Sequence, residues 1–116
     1  FIWGTQPKAQ SYLGNMYVEG TGVEKDDKEA VKWYRKSAEQ NNPDGQANLG
    51  AMYWTGQGTD KNMVRCLAWW ILAAELGDKY ANEWKPKAEA KMSLEKIGKA
   101  GKLAKQLQEL IDAKKK

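Results

Sequence analysis

The chain has no histidine and a single cysteine, Cys66. Without histidine there is no imidazole for acid–base chemistry and no zinc site of the Cys/His kind. One thiol cannot close an intramolecular disulfide, so disulfide-stapled scaffolds are excluded. Long apolar runs are also missing. The longest, from Leu67 to Ala74, falls well short of the ~18 residues of a membrane span, so no integral membrane segment is expected. There is no initiator methionine and no signal peptide, and the opening Phe1-Ile2-Trp3-Gly4 reads as a cut or processed start.

Tryptophan and tyrosine are plentiful, with six and five in 116 residues, enough to fill a core. The net charge of +4 is unevenly spread. Residues 1–84 carry nine basic and eleven acidic groups, whereas residues 85–116 carry ten lysines against four acids.

The strongest signal is self-similarity at an offset of 36 residues. Pro7 maps to Pro43, Gln10 to Gln46, Leu13-Gly14 to Leu49-Gly50 and Met16-Tyr17 to Met52-Tyr53. Gly20 and Gly22 map to Gly56 and Gly58, Lys25 to Lys61, Trp33-Tyr34 to Trp69-Trp70 and Ala38-Glu39 to Ala74-Glu75. No gap is needed.

Each unit reads as two helices. The first is expected over Lys8–Glu19 and again over Asp44–Thr55, with Pro7 and Pro43 at the start, where a missing N–H costs nothing. Gly14 and Gly50 interrupt good helical patterns. Their recurrence predicts two helices touching where a Cβ would not fit. Gly20-Thr21-Gly22 and Gly56-Gln57-Gly58 end these helices. Second helices are expected over Asp27–Gln40 and Asn62–Leu76, capped by Asp26 or Asp27 and by Asn62. Their apolar stripes are Ala30, Trp33, Tyr34, Ala38 and Cys66, Trp69, Trp70, Ala73, Ala74.

From Asp78 a third first-helix begins, but the pattern fades, and Pro86 is expected to kink or restart it. Ser93 should cap a last helix over Leu94–Ala113, with the stripe Leu94, Ile97, Ala100, Leu103, Ala104, Leu107, Leu110, Ile111. The lysines after it are expected to fray. The divisions are then 1–6 (the end of a preceding unit or an extension), 7–42, 43–78, a divergent 79–92 and a cap, 93–116.

These residues resemble the Sel-1-like repeat, a relative of the tetratricopeptide repeat. The resemblance rests on Ala9-Gln10, Leu13-Gly14, Tyr17, Gly20, Gly22-Val23, Asp26, Ala30, Trp33-Tyr34 and Ala38-Glu39. In the second copy it rests on Leu49-Gly50, Tyr53, Gly56, Gly58, Trp69-Trp70 and Ala73-Ala74-Glu75, with Thr59 and Cys66 as mild departures. It implies an all-α, right-handed α–α superhelix of two full helix–turn–helix repeats plus C-terminal capping helices. It also implies a bacterial adaptor binding another protein or a peptide, with a lean towards the periplasm or secretion. Some cysteine-rich relatives have been assigned penicillin-binding or β-lactamase activity. Those rely on paired cysteines, and this chain has one Cys and no Ser-x-x-Lys, so an enzyme is not expected.

Other chemical readings are weaker than structural ones. The Gly-x-Gly turns lack the third glycine and the Gly-Lys-Ser/Thr of a phosphate loop. Cys66 takes the place of Ala30 and reads as a buried small residue. The lysines of 85–116 follow an amphipathic pattern and read as a solvated face, so no nucleic-acid partner is expected. No cofactor or metal is expected. The apolar first three residues could instead mark stacking on a missing N-terminal repeat.

In stacked helix pairs the first helices line the concave side, the usual ligand surface. Ala9, Leu13 and Tyr17 form the buried stripe. Lys8, Tyr12, Asn15 and Glu19 should face the groove, followed by Asp44, Asn48, Ala51 and Thr55, then Tyr80, Trp84 and Lys87. The positions that differ between units are where specificity could be written. The row Tyr12–Asn48–Trp84 would suit an extended peptide. The candidate binding residues are Tyr12, Asn15, Glu19, Asn48, Thr55, Tyr80 and Trp84.

Overall fold

The computed structural model describes residues 3–115, and every regular element among them is helical. After a single 3-10 turn at Trp3–Thr5 come α1 (Pro7–Glu19), α2 (Asp27–Glu39), α3 (Pro43–Thr55), α4 (Met63–Glu75), α5 (Lys79–Glu89) and α6 (Leu94–Lys114). The expected end of a preceding unit falls partly on Phe1 and Ile2, which lie outside the described residues.

The offset of 36 governs the backbone in detail. Asp26 and Asn62 cap α2 and α4, and Asn42 and Asp78 cap α3 and α5, each accepting a backbone N–H in its helix's first turn. Gly20 and Gly56 end α1 and α3 in the left-handed region (φ 71° and 74°), and each N–H returns to the carbonyl of Met16 or Met52. Asn41 (φ 64°) and Gly77 (φ 86°), again 36 apart, turn the chain after α2 and α4. A glycine is the usual occupant there; asparagine tolerates the same conformation.

Helices pair in sequence order, α1 with α2, α2 with α3, α3 with α4 and α4 with α5, while α1 also touches α3. The first helices therefore stand side by side in one layer and the second helices behind them. The two glycines inside helices make the close approach possible. A Cβ on Gly14 would overlap the Tyr34 ring, and one on Gly50 would overlap the Trp70 indole. Each ring is buried and each polar tip is satisfied: Tyr34 Oη donates to Asn15 Oδ1 at 2.6 Å, and Trp70 Nε1 donates to the Ala47 carbonyl at 3.0 Å. Leu49, Leu67 and Cys66 complete the fully buried interior, each large aliphatic side chain contributing roughly 1.5–3 kcal/mol by burial.

An amide recurs behind this layer. Gln46 Nε2 donates to the Ala38 carbonyl (3.2 Å), and Asn82 Nδ2 donates to the Ala74 carbonyl (3.4 Å) at the same repeat position. In the first unit Gln10 Oε1 accepts from Gln40 Nε2 at 2.6 Å. The second unit has Leu76 where Gln40 stands, and Gln46 Oε1 is left buried with no partner.

Several expectations are corrected. Pro86 does not restart the helix: α5 is continuous through it. The fully buried Ala81 and Ala88 anchor α5 on either side of Pro86, which is itself exposed, so solvent can take up the carbonyl it frees. Helix α6 packs on α4, and it runs towards the end of α2. Only Ala100, Ala104 and Ile111 of its stripe are buried. Ile97, Leu103 and Leu107 pack partly, and Leu94 and Leu110 are 88% and 60% exposed, because they fall outside the face that meets α4. Lys114, expected beyond the helix end, is helical, and its Nζ pairs with Glu39 Oε1 at 3.3 Å, while Lys116 lies outside the described residues. Trp33 is only half-buried, with Lys36 Nζ 4.5 Å above its ring, whereas Trp69 and Trp70 are core. Leu13 is half-buried beside the fully buried Leu49, because α1 is an edge helix and α3 is flanked on both sides.

Two stability measurements follow. Gly50→Ala should lower stability by about 1–3 kcal/mol, since the Trp70 indole must shift, read as a lower urea midpoint at unchanged slope. Leu76→Gln should raise stability by about 1 kcal/mol by giving Gln46 Oε1 a donor; an unchanged midpoint would mean the amide is not reached.

Candidate functional site

Where α1, α3 and α5 stand side by side, their N-terminal halves enclose a cleft of about 350 Å³. It is lined by Lys8, Ser11, Tyr12 and Asn15 of α1, by Asp44, Ala47 and Asn48 of α3, and by Asp78 and Tyr80 at the start of α5. Lys8, Asp44 and Tyr80 occupy one repeat position, and Tyr12 and Asn48 another. The helical core is alike from unit to unit, while this surface is different at every step.

Several polar side chains of the cleft have no partner among the described residues. The Asn48 side chain makes no hydrogen bond among the described residues, whereas each of the other five asparagine side chains makes at least one. The side chains of Lys8 and Asp44 have neither hydrogen bonds nor ion pairs among those residues. Ser11 is 4% exposed, yet its hydroxyl has no partner among them. Asp78 spends one carboxylate oxygen on capping, at 2.8 Å from the Ala81 nitrogen. Tyr12 and Tyr80 are exposed, at 58% and 45%. Hydrogen-bonding groups held ready beside exposed aromatic surface are what a polar ligand requires.

Tyr80 belongs to a second feature. Its ring stacks on Trp84 (5.8 Å, 25°) and meets Trp70 edge-on (6.0 Å), while Trp54 stacks on Trp70 (5.5 Å) and meets Trp84 edge-on (6.0 Å). Lys87 Nζ lies 4.2 Å over Trp84, and Lys91 Nζ lies 5.5 Å over Trp54. The Tyr80 phenol is held above its usual pKa by burial first, with Cys66, Glu83 and Asp78 adding to the effect. This cluster fixes one wall of the cleft and leaves its tyrosine hydroxyl free.

The sequence-expected residues divide accordingly. Tyr12, Asn15, Asn48 and Tyr80 meet in the cleft. Trp84 does not line it, and stands behind Tyr80 in the ring cluster instead. Glu19 and Thr55 sit at the far ends of α1 and α3, outside it. Glu19 accepts from Thr21 (3.5 Å), and the Thr55 hydroxyl is engaged with the Ala51 carbonyl (3.2 Å) and Gln57 (3.0 Å). Asn15 has a structural bond as well as a place in the cleft, since it is the acceptor for Tyr34. Ser11 and Asp78 complete the lining and were not among the expected residues. Asp78 could have been found as the repeat equivalent of Asn42, and Ser11 as a position that differs from its equivalent, Ala47.

Elsewhere polar groups are occupied or chemically quiet. Burial pushes the Cys66 thiol up to about 12, so at neutral pH it is neither a nucleophile nor a thiolate ligand. A depression of about 390 Å³ between α2 and the end of α6 holds Gln10, Gln40, Glu39 and Lys114, all bonded to one another or to neighbouring backbone. Among the described residues no group of three or more acidic, Cys or His side chains could hold a metal, and no helix is long and apolar enough to cross a membrane.

Comparison with known proteins places this geometry in context. The family model described as Sel1 repeat matches residues 7–42 and 43–78. Among solved structures, the chain is similar to c5321, a protective antigen of uropathogenic Escherichia coli strains displaying an SLR fold. The identity is 31% and the TM-score 0.89, over 92% of this chain and 23% of that one. It is also similar to a Sel1 repeat protein from Oxalobacter formigenes, with 41% identity and a TM-score of 0.69, over 70% of this chain and 33% of that one. The chain thus spans between about a quarter and a third of these relatives' lengths. No curated protein matches it.

The two cleft asparagines should separate on mutation. Asn15→Ala leaves the buried Tyr34 hydroxyl without its acceptor and should cost about 1–3 kcal/mol in urea unfolding. Asn48→Ala removes no bond and should fall within about 0.5 kcal/mol of the parent. Equal losses for the two would contradict this division.

Proposed function

The chain belongs to the Sel1 repeat family, and from that premise we propose that it is a peptide-binding scaffold whose recognition site is the cleft between α1, α3 and α5. Proteins built on this fold are typically interaction scaffolds rather than catalysts. The observation that carries the reading is the unpartnered Asn48. Its side-chain amide offers one donor and one acceptor group, the pair that a peptide backbone presents in complement. Tyr12 and Tyr80 flank it on neighbouring helices and supply rigid aromatic area with a polar tip. At about 350 Å³ the cleft is at the small end of ligand sites, which run ~300–1,000 Å³, and suits a residue or two of an extended chain.

Preorganisation supports the same reading. The helices that present these side chains are fixed behind by the glycine-backed ring contacts, so little ordering entropy is lost on binding. Trp84 acts from behind, as a support for Tyr80. Glu19, Thr55 and the lysines near Trp84 lie further along the same layer, where a longer peptide would continue.

The test is selection of a displayed random-peptide library on the intact chain, followed by affinity measurement for the enriched peptides. Tyr12→Ala and Asn48→Ala should each weaken binding about tenfold or more, the loss of one anchor or one buried hydrogen-bond pair. Lys102→Ala, on exposed α6, should not. Enriched peptides indifferent to both cleft variants would remove the cleft from the function.

A further inference from the structure

The charges in the cleft are not evenly placed. Asp44 and Asp78 stand at the starts of α3 and α5, and Lys8 stands on the α1 wall. Each helix start offsets about half a unit of its aspartate's charge, which leaves the α3–α5 side net negative. Asp44 has no cationic partner among the described residues, and Lys8 lies beyond ion-pair distance of both carboxylates. Asp78 has one oxygen free of its capping bond. Tyr80 lies on this same side with 45% of its surface exposed. Other cations do not pair with these carboxylates among the described residues: Lys79, between Asp78 and Tyr80 in the chain, makes no ion pair, Lys87 lies over Trp84 and pairs with Glu83 at 3.6 Å, and Lys91 lies over Trp54.

Two carboxylates and an exposed phenol ring are complementary to an ammonium or guanidinium group. The second, independent sign of a ligand is Ser11. It is a nearly buried side chain that lines the cleft and whose hydroxyl has no partner among the described residues, and the half-buried Asn48, also in the lining, is likewise without a side-chain partner. A cation alone would satisfy neither. A basic side chain carried on an extended backbone satisfies all of them, with its head at the carboxylates and its peptide groups at Asn48 and Ser11.

We propose that the segment seated in this cleft is an extended peptide bearing an arginine or lysine, whose charged head lies between Asp44 and Asp78 against the ring of Tyr80. This rests on the peptide-binding reading above and adds the chemistry of the residue recognised. Lys8 on the opposite wall gives the site a direction: it repels a basic head from the α1 side and favours an acidic group or a chain terminus there.

The experiment titrates the full chain with four blocked peptides, acetyl-Gly-Ala-Xaa-Ala-Gly-amide, in which Xaa is arginine, lysine, norleucine or glutamate. Backbone amide resonances of the protein report both site and affinity. The arginine and lysine peptides should move the Asn48 and Tyr80 resonances and bind about tenfold more tightly than norleucine, the glutamate peptide being weakest. That advantage should shrink in about 0.5 M sodium chloride. The double variant Asp44→Asn, Asp78→Asn should abolish it without unfolding the chain, because asparagine caps a helix as well as aspartate does. A glutamate peptide that binds as well as arginine, or a double variant that keeps the preference, overturns the charge assignment. If all four peptides bind equally at Asn48 and Tyr80, the peptide cleft stands and the basic residue falls. If none perturbs the cleft, both fall.

Discussion

An aromatic ring laid directly on a glycine sets the spacing of everything else in this chain. Tyr34 rests on Gly14 and Trp70 on Gly50, with no room for a Cβ at either place. The helices of each pair are thereby drawn together, and the turns that follow can repeat with the same caps and the same left-handed residues. Because the pairs are built alike, equivalent positions of the first helices come into line on one surface. The contact also couples other residues. A tyrosine at position 34 needs an acceptor and finds Asn15. The tryptophan at position 70 bonds the backbone of Ala47 instead, and position 51, the equivalent of Asn15, is alanine. One structural problem is solved twice with different side chains.

Polar residues in this fold then fall into two kinds. Those of the interior and the helix caps are spoken for: asparagines and glutamines at caps and between units bond backbone groups, amides or one another, and the fully buried exception among the described residues, Gln46 Oε1, is traceable to one leucine. Those of the cleft are idle by comparison, although Ser11 is hardly exposed. Among the described residues the fully buried unpartnered side-chain atom is Gln46 Oε1, so Asn48 and the Ser11 hydroxyl keep some access to solvent, and repeats that satisfy their other amides so consistently make the exceptions informative. On this ground the proposed recognition role falls on Asn48, while Asn15 is first a structural residue, the acceptor for Tyr34.

Much of the architecture is legible in the sequence, because a helix hairpin repeated without a gap leaves its glycines, caps and aromatics in matching places. Gly14 and Gly50 foretell the close contact, and Asp26 with Asn62 foretells the caps. Trp33 and Leu13 differ from expectation for a reason of context: each has an equivalent that is flanked by a further helix, whereas they lie at an edge. Pro86 was expected to disrupt because local sequence says so, yet packing on both sides of it holds α5 in one piece. The path of α6 is not legible at all, since an amphipathic stripe records that a helix packs but not against what. The candidate site is half legible. Position in the repeat identifies Tyr12, Asn48 and Tyr80 as surface variants. That Tyr80 rather than Trp84 completes the cleft, and that Asn48 lacks a partner, depend on three-dimensional neighbours.

The route of α6 changes the kind of object this chain is. Stacked repeats are held by contacts between neighbours along the chain, so they can unzip one unit at a time from either end. Here the last helix doubles back over α4, and Lys114 reaches Glu39, 75 residues earlier in the chain. That exposed ion pair links the tail to the first repeat, across the second. A contact of such long sequence separation is one that the repeats themselves do not need, and it raises the contact order of this chain above that of an open array.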